Sequence, residues 1–186
     1  MLTVRKRWCF VLLVPLLLAG CGGAPREQSA AARQVALPRA DSALADVRAQ
    51  ANQLLPGGPD RFDAWIKALE GHPIVVNQWA SWCGPCRFEF PFFERQAREL
   101  GDRVAFLGVN SKDSESAAAS FLERHPVPFP HFSDPDAEMA RRFRGGRSWP
   151  TTAFYRASGE LAFTHQGSYA TEQDLAADIR RYALGD

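Results

Sequence analysis

The period of apolar and polar positions changes several times along the chain. Positions 74–79 (IVVNQW) and 104–109 (VAFLGV) are short, nearly continuous apolar runs, the pattern of strands covered on both faces. Between them the period lengthens. Cys86, Phe90, Phe93 and Ala97 recur at helical spacing and predict a helix over about 84–100, with Pro91 inside it as an expected kink. Asp113 is placed to cap a further helix reaching Glu123, 128–132 is a short extended piece, and Asp134 followed by Pro135 opens a helix to about Phe143. Positions 151–155 read as a strand, the turn at 157–159 returns it through 161–166 as a hairpin, and Thr171 opens a last helix to about Leu184. Upstream, Leu44, Val47, Ala51 and Leu54 form one stripe of a helix over 41–55 capped by Asp41. The PGGP run at 56–59 breaks it, and Asp60 caps a second helix carrying Phe62, Trp65, Ile66 and Leu69, ended by Gly71. Strands alternating with helices, then a hairpin and a helix, predict an α/β sandwich.

The first residues follow another pattern. A basic start (Arg5, Lys6, Arg7) precedes an apolar run from Cys9 to Ala19 that is short for a membrane span and reads as a secretory signal. It ends in Leu18-Ala19-Gly20-Cys21, which resembles a bacterial lipobox, so residues 1–21 are expected to be a lipoprotein signal and Cys21 the lipidated residue. Residues 22–40 are small, polar and proline-containing, a flexible tether holding the domain on the order of 25 Å from a membrane. The remainder divides into 41–59, a helix and a break, and 60–186, the main domain.

A length of 186 residues and a hydrophobic fraction of 46% suit one domain with a real core. The net charge of +1 falls to about −2 once the three basic residues of the leader are removed, and neither value suggests nucleic acid. With Cys9 in the leader and Cys21 committed to lipid, Cys83 and Cys86 are the only thiols left, in a compartment that favours disulfides. A structural zinc site needs four ligands, and His72, His125, His131 and His165 are scattered without ligand spacing. A disulfide closing two intervening residues is a poor staple, because it removes little chain entropy. A redox pair fits better. Cys83 falls at a helix N-terminus, where free N–H groups and the helix dipole favour a thiolate; Pro85 suits the first turn, and Arg87 adds positive charge. On the helical stripe Cys86 is recessed and Cys83 sits at the exposed tip, so Cys83 attacks and Cys86 resolves. Trp79 is expected in the core and Trp82 at the edge of the substrate surface.

The run VVNQWASWCGPCRFEFP (75–91), with SWPTT at 148–152 leading into the hairpin and last helix, resembles the thioredoxin fold, and specifically its membrane-tethered TlpA/ResA-like branch. Cys86 and Pro150 lie 64 positions apart, room for the helix and strand that this branch inserts at about 113–132. The resemblance covers roughly 60–186 and implies a three-layer thioredoxin-like sandwich with that central insertion. It implies that Pro150 is a cis-proline facing the disulfide, that Trp149 offers its backbone to an extended substrate, and that Trp82, Gly84 and Pro85 border the same surface. A tryptophan at 149 narrows access. Asn77 stands where thioredoxin keeps a buried acid, so the proton of Cys86 must go elsewhere. Glu89, one turn beyond Cys86, is a second candidate for proton transfer, although it reads as solvated. Gly84 stands where ResA-like proteins of cytochrome c maturation carry glutamate.

The expectation is an extracytoplasmic, lipid-anchored thiol-disulfide oxidoreductase, with no metal or organic cofactor and no nucleic-acid partner. Its expected work is reduction of disulfides in exported proteins, apocytochrome c among them, fed by a membrane electron donor. The alternatives are an oxidase that installs disulfides and a non-catalytic tethered binding module.

Overall fold

The computed structural model describes residues 37–39 and 41–186. The expected leader with Cys9 and Cys21, and most of the expected 22–40 tether, lie outside them. The described elements run α1 (Ala43–Ala49), β1 (Leu54–Leu55), α2 (Pro59–Ala68), β2 (Ile74–Trp79), α3 (Gly84–Leu100), β3 (Ala105–Ser111), α4 (Glu115–Arg124), β4 (His131–Asp134), α5 (Glu138–Arg142), β5 (Thr151–Tyr155), β6 (Leu161–Gln166) and α6 (Glu172–Asp178), which continues as a π-helical stretch, Ile179–Leu184. Six strands form one sheet in the order β1-β4-β3-β2-β5-β6. The first four run parallel; β5 is antiparallel to β2, and β6 to β5. This is the thioredoxin-like α/β sandwich, and α4 with β4 is the central insertion.

The strand pleat divides the core. Val75 and Trp79 of β2 face one side with Phe90 and Phe93 of α3, Phe121 of α4, and Leu175 and Ile179 at the C-terminus. Ile74 and Val76 face the other, against Phe62 and Trp65 of α2, Val47 of α1, and Met139 and Phe143 at α5. Asn77 shares the α3 side by the same alternation.

Several element ends differ from the sequence reading. The predicted 41–55 helix stops at Ala49, and Leu54 belongs to β1, which pairs with His131 and Phe132 of β4. The chain reverses at Asn52, held at φ 60 while its N–H donates to the Phe129 carbonyl at 2.9 Å. Ser42, not Asp41, flanks α1. Gly58 takes the N-cap position of α2 with Pro59 at its first turn, so Asp60 lies inside the helix instead of capping it. Ser114, not Asp113, caps α4, its Oγ accepting the Ala117 N–H at 3.2 Å. Asp134 ends β4 and does not open a helix. Its carboxylate reaches across the following turn to accept the Met139 and Ala140 N–H groups, both at 3.0 Å, so the helix predicted from Pro135 shortens to five residues. Among the described residues, no helix is long and apolar enough to cross a membrane.

Candidate redox site

The site lies at the C-terminal end of β2, where a parallel strand hands over to α3. Cys83 has extended backbone angles and is the N-cap of α3, and its Sγ accepts the Cys86 N–H at 3.1 Å. Pro85 occupies the first turn, where its missing N–H costs nothing. The two cysteines are joined as a disulfide with Cα atoms 5.3 Å apart. Gly84 is exposed, and a Cβ built on it meets no atom within 4 Å. Arg87 is exposed, and its N–H donates to the Cys83 carbonyl at 3.1 Å.

Both cysteines are enclosed. Cys86 is 1% exposed, as the helical stripe predicts, but Cys83, expected at an exposed tip, is only 3% exposed. Trp149 packs on the cluster that contains both cysteines, and its ring centroid lies 5.8 Å from that of Trp82. Trp82 itself is largely exposed, whereas Trp79 is fully buried, with its indole N–H donating to His131 Nδ1 at 3.1 Å. The Trp149–Pro150 peptide bond is cis. The preceding loop is pinned to β2 by Gln78, whose Oε1 accepts the Gly146 N–H at 2.9 Å.

Behind the disulfide the structure overturns one expectation. Glu89 is not solvated; it is fully buried. Its Oε1 accepts the Asn77 amide at 3.0 Å and its Oε2 accepts the Tyr169 N–H at 3.0 Å. Burial pushes the carboxyl up to about 7, against the opposing pull of those two hydrogen bonds. Asn77, which itself cannot take a proton, is thus one of the two groups that hold the Glu89 carboxyl. The periodicity contained this signal. Glu89 falls three residues after Cys86 and one before Phe90, inside the stripe that α3 buries, and Gln96 does the same. His131 is a second buried titratable group, one that its place in the sequence does not mark. It is fully enclosed among Trp79, Phe90 and Phe129, and burial holds its imidazole down at about 3. Gly108 accommodates it, since a Cβ there would overlap the imidazole ring.

A dithiol at a helix N-terminus, one sulfur capping the helix and a high-pKa carboxyl one turn along, has the parts for two-electron exchange with another thiol pair. Residues 61–164, more than half of the chain, match the model of the AhpC/TSA family. The chain belongs to that family. Among its relatives, the thiol-disulfide oxidoreductase ResA of Oceanobacillus iheyensis is 27% identical over 115 residues, 61% of this chain and 59% of that protein. A thiol:disulfide interchange protein DsbE homolog of Paracoccus denitrificans is 38% identical over 99 residues, 53% of this chain and 52% of that protein. The chain thus spans between half and three-fifths of the length of these two relatives. Among solved structures, the exposed lipoprotein thioredoxin Etrx1 of Streptococcus pneumoniae superposes with a TM-score of 0.55 at 25% identity, over 62% of this chain and 89% of that one. The matched region of the family includes β2, the cysteine pair, the central insertion and the cis-proline loop.

Proposed function

We propose that this chain is an extracytoplasmic thiol-disulfide oxidoreductase, tethered to a membrane through Cys21, that reduces disulfides in exported proteins. The observation that carries the reading is the Cys83–Cys86 pair capping α3 with Glu89 enclosed behind it. In the reduced protein the Cys83 thiolate attacks one sulfur of a substrate disulfide and expels the other as a thiolate, leaving a mixed disulfide. Cys86 passes its proton to the Glu89 carboxylate, held by Asn77, and its thiolate attacks the Cys83 sulfur. The second substrate thiolate leaves and takes up a proton. Two electrons have passed from the protein to the substrate, and the Cys83–Cys86 disulfide is restored. A membrane electron donor returns it to the dithiol.

Trp82, Gly84, Pro85, Trp149 and Pro150 form the face that meets the substrate, with the Trp149 backbone pairing to an extended segment. Relatives named ResA and DsbE support the exchange chemistry, and the lipoprotein neighbour supports the anchor. Apocytochrome c is the substrate suggested by the TlpA/ResA-like motif.

The test is insulin reduction by the full chain. Activity is expected in the parent and to vanish in Cys83→Ser; a parent that reduces no insulin would leave a binding module as the better reading. A Cys86→Ser variant in the native host is expected to trap substrates as mixed disulfides through Cys83. A reduction potential near about −270 mV supports the reductase, and one near about −120 mV makes the protein an oxidase instead.

A further inference from the structure

The loop that opens the central insertion is fastened to the residues just before Cys83. The Asp113 carboxylate uses both oxygens twice. Oδ2 accepts the Ser81 N–H at 2.6 Å and the Asn110 side-chain amide at 3.0 Å; Oδ1 accepts the Ser81 hydroxyl at 3.0 Å and the Ser114 N–H at 2.9 Å. One residue earlier, Lys112 stands at φ 56, and its carbonyl accepts the Trp82 indole N–H at 2.8 Å. The Lys112 N–H is itself held by the Asp134 carbonyl at 3.2 Å. Three hydrogen bonds from two consecutive loop residues thus grip Ser81 and Trp82. The Cys83 N–H closes the same turn on the Ala80 carbonyl at 3.1 Å, so the grip ends at the residue that bears the sulfur.

This fastening bears on how a partner reaches Cys83. The residue is 3% exposed although the tryptophan before it is 57% exposed. The Trp82 ring is held by the Lys112 carbonyl and by Trp149, and the backbone beneath it by Asp113. We propose that Asp113 is a positioning residue for the exchange reaction: by clamping Ser81 it keeps the Trp82–Cys83 segment closed over the sulfur and so sets how readily Cys83 meets a partner thiol or disulfide. A charge-assisted hydrogen bond to a backbone N–H is among the stronger contacts a loop can make, and truncating it leaves the Ser81 N–H without that acceptor. The insertion thereby acts on the chemistry through Ser81 and Trp82 without touching a sulfur.

The proposal rests on Cys83 being the attacking sulfur, and its test separates the two. In full-length protein carrying Cys86→Ser, Cys83 is alkylated with iodoacetamide across pH, and the plateau rate of the thiolate is read. Asp113→Ala is expected to raise that plateau at least threefold. In a proton–nitrogen spectrum, with the Trp82 indole signal assigned through Trp82→Phe, it is expected to speed solvent exchange of that N–H at least tenfold. Asp113→Asn, which keeps one oxygen, is expected to fall between the parent and Asp113→Ala in both readings. Should Asp113→Ala not fold, Asp113→Asn carries the test, with a twofold rise as the threshold. An unchanged plateau with an unchanged indole signal overturns the proposal and leaves the proposed function standing. Cys83 unmodified in every variant overturns the assignment of Cys83 as nucleophile and this proposal with it.

Discussion

A carboxyl held at about 7, one helical turn from Cys86, changes its charge near neutral pH. In the proposed mechanism Glu89 takes the Cys86 proton only when ionised, so the rate of insulin reduction is expected to rise with pH through about 7 and then level. Glu89→Gln is expected to lower that rate about a hundredfold and to remove this limb of the pH profile. An unaltered profile would return Glu89 to a structural role. Gly84 gives the opposite kind of prediction. Its conformation is not left-handed and a side chain would meet open space, so Gly84→Glu is expected to leave the melting temperature of the oxidised protein unchanged while shifting the reduction potential through the stability of the reduced form. Gly108→Ala, by contrast, drives a methyl into the His131 ring and breaks the bond to Trp79, for an expected loss of about 3 kcal/mol in urea unfolding. Residue by residue, the legible positions were those whose role follows from spacing along one element. Cys83, Cys86 and Pro85 follow from the helix start, and Glu89 was available from the stripe. Tyr169 was not. Its backbone N–H reaches Glu89 from 80 positions away, and a backbone donor leaves no mark in a side-chain pattern.

At the scale of elements, β2, α3, β5 and β6 are where the pattern places them, because each carries a full apolar period. Elements of a few residues are not, because tertiary bonds fix their ends. Asp134 illustrates this. Followed by proline it has the signature of a helix start, yet its carboxylate finds the Ser111 hydroxyl at 2.8 Å and two N–H groups beyond the turn. α1 and β1 are the other case. Residues 41–59 are separated from the main domain by the PGGP break in sequence, but Ala43, Leu44 and Val47 are buried and β1 joins the sheet through β4. Val47→Asp is therefore expected to destabilise the whole fold by about 3 kcal/mol in urea unfolding. A change confined to local helix content, with the main transition unmoved, would argue that this segment is an accessory.

For the whole molecule, two buried groups set opposing pH dependences. Glu89 rises from 4.5 to about 7 on folding, so between those values the folded chain keeps a proton that the unfolded chain has released, and stability falls as pH rises. His131 drops from 6.5 to about 3, so between those values the unfolded chain holds the extra proton, and stability rises with pH. The windows overlap from pH 4.5 to 6.5, where the slopes oppose. Removing one of them should expose the other. Measured against the parent by urea unfolding, Glu89→Gln is expected to gain about 2 kcal/mol between those two pH values. Parallel curves for parent and variant would contradict the pKa assigned to Glu89. The enclosure of both sulfurs has its own thermodynamic consequence. Because Cys83 and Cys86 lie inside the same cluster as Phe90 and Phe93, oxidation state and folding form one closed cycle. Whatever the fold gains or loses on forming the bond must reappear in the potential of the pair, at about 1.4 kcal/mol for every 30 mV. A pair poised to give electrons away is one whose bond stabilises the fold, and a pair poised to take them is one whose bond strains it. Unfolding the oxidised and reduced proteins side by side therefore reads the potential of the pair from the protein alone, before any partner is known.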